Sequence, residues 1–162
     1  MKWRVSAKWS TKRIDCTPRG ILFSCHAKCC RAPFWPGRAG ENKVYCDFLG
    51  NKGCTLTVEQ RPIVCNLFPF TVSKENLIRL SGTSIAKHQC CNPCYGAGPM
   101  IIDALNDNFE HMFGKEQTRV IIETVKSGKD AIIDVPDSIY HDWLREEEQA
   151  EKDVLPTPRG HK

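Results

Sequence analysis

Nine of the ten cysteines fall between positions 25 and 94, as Cys25, Cys29, Cys30, Cys46, Cys54, Cys65, Cys90, Cys91 and Cys94, and the tenth, Cys16, lies just upstream. Soft thiolates drawn from several chain segments onto one centre are what zinc sites and iron-sulfur clusters require. A disulfide framework is the other use for so many cysteines, and the redox compartment decides between the two. The opening residues place Lys2, Arg4 and Lys8 among Trp3, Val5 and Trp9, where an export signal needs an unbroken apolar stretch. No run of about 18 apolar residues offers a membrane span. We therefore expect a cytoplasmic protein with no membrane segment, whose reduced thiols are available to metal. The adjacent pairs Cys29-Cys30 and Cys90-Cys91 occur in both kinds of site and do not discriminate.

The spacing excludes a zinc ribbon, which needs a pair of Cys-x2-Cys knuckles. Cys91-x2-Cys94 supplies one; the remaining intervals are Cys25-x3-Cys29-Cys30, Cys46-x7-Cys54 and Cys54-x10-Cys65. That many thiolates can hold a pair of zinc ions, a cluster with shared ligands, or a four-iron cluster with a separate site. His26 and His88 lie beside cysteines, where histidine more often donates a hydrogen bond than ligates. Arg31 and Arg61 can balance the charge of a thiolate-rich centre.

The order of these residues carries a resemblance. Cys25-x3-Cys29-Cys30-Arg31, then Cys46, Cys54-Thr55-Leu56, Glu59-Gln60-Arg61-Pro62-x2-Cys65-x2-Phe68-Pro69-Phe70 and Cys94-x-Gly96-x-Gly98 resemble the YkgJ-like cysteine-cluster family of zinc- or iron-chelating domains. The resemblance covers residues 25–98 and is most specific over residues 61–70. It implies Cys29, Cys30, Cys46, Cys54, Cys65 and Cys94 as metal ligands, with Cys25 beside them and Cys16, Cys90 and Cys91 as additional candidates. The opening departs from the family pattern: Cys25 is displaced by one residue and the first cysteine is absent unless Cys16 replaces it. Tyr95 stands where the family often has proline. Some relatives join this domain to protein lysine methylation, but no cofactor-binding signature for that chemistry is present.

The elements that must position these residues follow from punctuation and periodicity. Residues 2–9 alternate partly and read as a strand; residues 31–43, with paired Pro and paired Gly, read as a loop in which Phe34 and Trp35 lid the metal core. Short strands around the Gly50 to Gly53 turn form a hairpin that brings Cys46 and Cys54 near each other. Pro62 opens a helical turn holding Cys65, and residues 68–72 and 77–80 form a second hairpin. Met100, Ile101, Ile102, Leu105, Phe109, Met112 and Phe113 recur at helical spacing up to Gly114, and Val120, Ile121, Ile122 and Val125 repeat the pattern before Gly128. His111 lies on the first of these helices as a structural residue. Residues 131–136 are a short strand or linker, and an acidic helix runs from Ser138 to about Asp153.

The expected fold class is α+β: a small irregular cysteine-rich metal-bound core with short β-hairpins, followed by two or three helices. Its divisions are a basic Trp-containing segment (1–24), a cysteine-cluster domain (25–98), a helical region packing on it (99–153) and a disordered tail (154–162). Metal would supply the folding free energy that the Gly- and Pro-broken cysteine segment lacks, about 10 kcal/mol or more for zinc in small peptides.

Charge is distributed unevenly. Residues 1–40 carry nine Lys or Arg against Asp15, and residues 101–153 carry fourteen Asp or Glu against six Lys or Arg. A nucleic-acid platform would use Trp3 and Trp9 for stacking and Lys2, Arg4, Lys8, Lys12 and Arg13 for phosphates; the simpler reading is an edge strand whose tryptophans cover the core. The acidic helix reads as a solvated face. No phosphate-cradling Gly loop or nucleophile elbow is present. The favoured function is a small metal-binding protein, zinc or iron-sulfur, with a mainly structural cluster and surfaces that meet a macromolecule, protein or nucleic acid. Alternatives are an iron-sulfur enzyme or redox accessory protein, and a nucleic-acid binder acting through the basic N-terminal 40 residues.

Overall fold

The computed structural model describes residues 1–13, 48–50, 53–80 and 99–154. Alternation of exposed and buried residues makes Lys2–Val5 a strand (β1), with Trp3 and Val5 inward and Lys2 and Arg4 outward. It is followed by a single helical turn, Ala7–Ser10 (α1). Leu49–Gly50 (β2) and Gly53–Cys54 (β3) form a short antiparallel ladder, with Gly50 opposite Gly53. The chain then leaves extended geometry earlier than the sequence suggests, because Thr57 and Gln60 form a reciprocal capping box that bends Val58–Gln60 into a 3-10 turn. Ile63–Leu67 (α2) follows, and Phe70–Val72 (β4) and Leu77–Leu80 (β5) form the second expected hairpin. Asn76 takes a φ of 57° in its turn.

The C-terminal half is largely helical. Ile101–Ala104 (α3) and Asn106–Phe113 (α4) are separated at Leu105; Lys115–Lys126 (α5) leads to the strand Ala131–Asp134 (β6) and the long helix Asp137–Val154 (α6). Gly114, between α4 and α5, has φ 81° and ψ 157°, a region that only glycine occupies without strain.

Four of the strands form one sheet in the order β4-β5-β1-β6, parallel between β1 and β5 and antiparallel elsewhere, while β2 and β3 pair apart from it. Register aligns the inward residues: Trp3 lies opposite Ile133, Val5 opposite Ala131, Phe70 opposite Leu80 and Val72 opposite Ile78. These meet Ile63, Leu67, Ile101, Ile102, Phe109, Met112, Phe113, Ile121 and Val125 in one hydrophobic core. At the open edge, Gln117 of α5 donates to the Asp134 carbonyl and accepts from its amide, both at 2.9 Å, blunting the edge of β6.

The α+β class holds, but the described core is not built on cysteine. Its twenty buried apolar residues include none, and six of them (Ile63, Leu67, Phe70, Val72, Ile78 and Leu80) come from the segment expected to depend on metal. The sheet takes strands from residues 1–24, 25–98 and 99–153 alike, so these sequence segments are not separate packing units. Nor is β1 an edge strand: it is paired on both sides. Trp3 is 1% exposed, with edge-on contacts to Phe113 at 6.2 Å and Trp143 at 5.4 Å, and therefore serves the core instead of stacking on bases.

Trp3→Ala is expected to lower unfolding free energy by about 3–5 kcal/mol, the range for large aromatic truncations in a core; a urea denaturation midpoint equal to wild type would contradict its place there. Gly114→Ala should cost about 1–3 kcal/mol through backbone strain alone, since an added Cβ would meet nothing within 4 Å. The same denaturation measurement checks it, and an unchanged midpoint would mean that the turn readjusts freely.

Candidate metal centre

Of the candidate ligands, Cys54 and Cys65 lie among the described residues; Cys16, Cys25, Cys29, Cys30, Cys46, Cys90, Cys91 and Cys94 lie outside them, as do His26, His88, Arg31, Phe34, Trp35 and residues 155–162 of the tail, whose first residue, Val154, instead ends α6. Cys54 ends β3, opposite Leu49, and is exposed as a thiol outside any disulfide. The ladder is extended by Thr55, whose amide and hydroxyl both donate to the Phe48 carbonyl, at 2.8 and 3.0 Å. Among the described residues no group of three or more His, Cys, Asp or Glu side chains is poised to hold a metal ion.

Cys65 sits at the middle of α2 and is partly buried. Its surroundings are defined by polar groups at positions where helical spacing calls for apolar ones. Asn66 lies between Ile63 and Leu67 on the inward side and is fully buried. Its Nδ2 donates to the carbonyls of Val58 at 3.0 Å and Arg61 at 3.3 Å, and its own backbone carbonyl accepts from Asn108 Nδ2 at 2.9 Å. Two carbonyl neighbours fix the orientation of the amide, because a flipped Asn66 would oppose oxygen to oxygen. Its Oδ1 has no protein partner. Arg61 Nε donates to the Leu56 carbonyl at 3.1 Å, tying the chain just after Cys54 to the turn before Cys65.

The N-terminal end of α2 has no local cap, since Pro62 occupies the cap position and has no side-chain acceptor. Glu146 of α6 supplies one. Its carboxylate oxygens accept from the amides of Ile63 and Val64, each at 2.9 Å. Burial raises the Glu146 pKa above the ordinary glutamate value, opposed by the two amide hydrogen bonds and reinforced by nearby Asp142. By sequence Glu146 belongs to the acidic helix that reads as a solvated face. It instead lies three residues after Trp143 and seven after Ile139, both packed against the core, which places it on the inward stripe of α6. That spacing was the available signal.

The basic N-terminal candidates divide between two places. Lys2 and Arg4 are on the outward face of the sheet, in exposed ion pairs with Asp134 at 3.8 Å and Asp130 at 3.7 Å. Lys8 lies on α1, its ammonium 5.1 Å from the centre of the Trp9 ring; Lys12 and Arg13 follow and are exposed. Trp9 packs partly buried against the core. Trp3 and the cations beside it in sequence thus face opposite sides of β1, which does not assemble a base-stacking surface. His111, expected to be structural on α4, is exposed.

Glu146→Ala leaves the Ile63 and Val64 amides without their acceptor and is expected to cost about 1–3 kcal/mol of stability. Glu146→Gln keeps one acceptor and removes the titration. Because the folded-state pKa is raised, the unfolded chain ionises first as pH rises; the stability held by the protonated form is complete below the ordinary glutamate range and is lost as pH climbs through the folded value. Wild-type stability relative to Glu146→Gln should therefore fall as pH rises from the ordinary glutamate range through the raised folded-state value. Urea unfolding across that range checks it, and a difference that stays flat or grows with pH contradicts it.

Comparison of the chain with protein-family models, curated proteins and solved structures finds no match.

Proposed function

We propose that the chain is a small cytoplasmic metal-binding protein whose cysteine cluster holds zinc or an iron-sulfur centre in a mainly structural role. The observation that carries this reading is the concentration of nine cysteines in positions 25–94, in the order that resembles the YkgJ-like cysteine-cluster family. Two features of the described residues support it. Cys54 is an exposed thiol and not half of a disulfide, and the segment that resembles the family most specifically, residues 61–70, is braced from three sides by Arg61, Asn66 and Glu146. Bracing of that kind holds a ligand in one geometry before metal arrives.

The helix-and-sheet core shifts what the metal would be for. Among the described residues twenty apolar side chains are buried, none of them a cysteine, so the core has its own driving force for folding. A metal centre here would fix the cysteine-bearing segments against that core. No helix among the described residues is long and apolar enough to cross a membrane. A macromolecular partner remains part of the proposal, met through charged surface and not through Trp3.

Protein purified without oxygen should contain about two zinc per chain with no visible absorbance, the number that four-thiolate sites allow; iron with matching sulfide and a broad visible band would shift the reading to an iron-sulfur centre. Neither metal, with cysteines oxidised in pairs, would overturn it. Chelation should increase cysteine labelling while the far-ultraviolet dichroism of the helices persists, and collapse of that signal would show that the core does need metal.

A further inference from the structure

The helix that carries Cys65 is five residues long, too short to persist without tertiary support. Its support is concentrated on the residues that flank the cysteine. Ile63 and Val64, just before it, give their amides to Glu146; Asn66, just after it, is fixed through its side chain to Val58 and Arg61 and through its carbonyl to Asn108. The Cys65 amide itself bonds the Pro62 carbonyl at 3.0 Å. The asparagine brace comes from the core, where Asn66 is fully buried and Asn108 nearly so. The glutamate brace comes from a helix that is attached more lightly: from Asp137 to Gln149, no side chain of α6 is fully buried. Ile139, Tyr140 and Trp143, half-buried against the core with Trp143 on Trp3 at 5.4 Å, and Glu146 are among its fastenings.

We infer that Glu146 is a positioning residue for Cys65, and that α6 is a strap whose docking through Glu146 holds the helix that carries this thiol in place. The consequence for metal rests on the metal-binding reading above; the positioning of the thiol does not. If Cys65 ligates, docking of α6 and loading of the site favour each other reciprocally, because each pays for the same ordering of α2. Anything that draws α6 away, such as a partner taking up Ile139, Tyr140 and Trp143, would weaken metal retention.

The test uses the full-length protein as purified. Alkylation by iodoacetamide is followed separately at Cys65 and Cys54 by peptide mass spectrometry, and zinc affinity is measured by competition with a chromophoric chelator. The variants are Glu146→Ala, Glu146→Gln, Glu148→Gln on the exposed side of the same helix, and Val125→Ala in α5. Val125→Ala serves as a general destabilisation from the core, and retained helical dichroism certifies each fold. Glu146→Ala should raise Cys65 alkylation about 10-fold or more and weaken zinc binding about 10-fold, the scale of losing a group that orients a metal ligand. Glu146→Gln should lie between it and wild type. Glu148→Gln and Val125→Ala should change neither reading, and Cys54, exposed throughout, should label alike in all. Unchanged Cys65 alkylation in both Glu146 variants overturns the inference, as does unchanged zinc affinity in a chain whose wild type binds zinc. An equal rise in Val125→Ala also overturns it, since general loosening would then suffice. Faster Cys65 alkylation in a protein whose wild type binds no metal would uphold the positioning role while the metal-binding reading falls.

Discussion

The fold depends on β1 being hydrogen-bonded along both edges. Lys2–Val5 pairs in parallel with β5 and antiparallel with β6, elements that lie more than seventy and more than one hundred and twenty residues further along the chain. No local hairpin can make these pairings, so their entropy of closure has to be met by what the strand buries. Trp3 and Val5 answer that need. Trp3 reaches Phe113 on α4 and Trp143 on α6, so one side chain joins the strand to two helices. The backbone adds a further tie where the Ala7 amide donates to the Asp130 carboxylate at 2.9 Å, just before β6 begins.

This arrangement determines how the cysteine-bearing chain is held. Through β5 the second hairpin is a member of the central sheet, and through Ile63 and Leu67 the Cys65 helix belongs to the same core. The turn between Cys54 and Cys65 is then fixed at several backbone points by side chains: Gln60 on the Thr57 amide, Arg61 on the Leu56 carbonyl and Asn66 on the Val58 carbonyl. Polar side chains hold the backbone here because the stretch has little regular structure to satisfy its own amides and carbonyls. The cost is visible at Asn66, whose Oδ1 is buried without a protein partner. Two good bonds from its amide nitrogen and one on its carbonyl are retained at the expense of that oxygen.

Much of the fold was legible because it follows period and punctuation. The spacing of Phe109, Met112 and Phe113, and of Ile121 and Val125, marks helices, and the glycines at 114 and 128 end them with positive φ. The hairpin of residues 70–80 follows from alternating apolar residues around a polar link. What local pattern could not give was pairing: that β1 lies inside the sheet depends on partners far away in sequence, and the mixed basic and aromatic composition of residues 2–9 suits a surface strand equally well. The candidate site was less legible. Its cysteines are evident by type, yet the groups that hold the backbone on either side of Cys65 are an asparagine and a glutamate, which occupy apolar positions of their helices and belong to no motif.

Those two polar residues also separate two ways in which metal can serve a protein. Where a chain has no core, ligation and folding are a single event, and the free energy of binding is the free energy of folding. Here, among the described residues, eleven large side chains are less than 2% exposed, Trp3, Phe109, Leu67 and Ile78 included, without a cysteine among them. Such a core supports α2 through Ile63 and Leu67, and on the metal-binding reading proposed above it would leave to metal the smaller task of ordering what is attached to it. A preformed ligand loses less freedom on binding and therefore binds more tightly for the same bonds. On that reading the buried asparagine and the half-buried glutamate would be a standing cost of folding that holds the thiol between them in place.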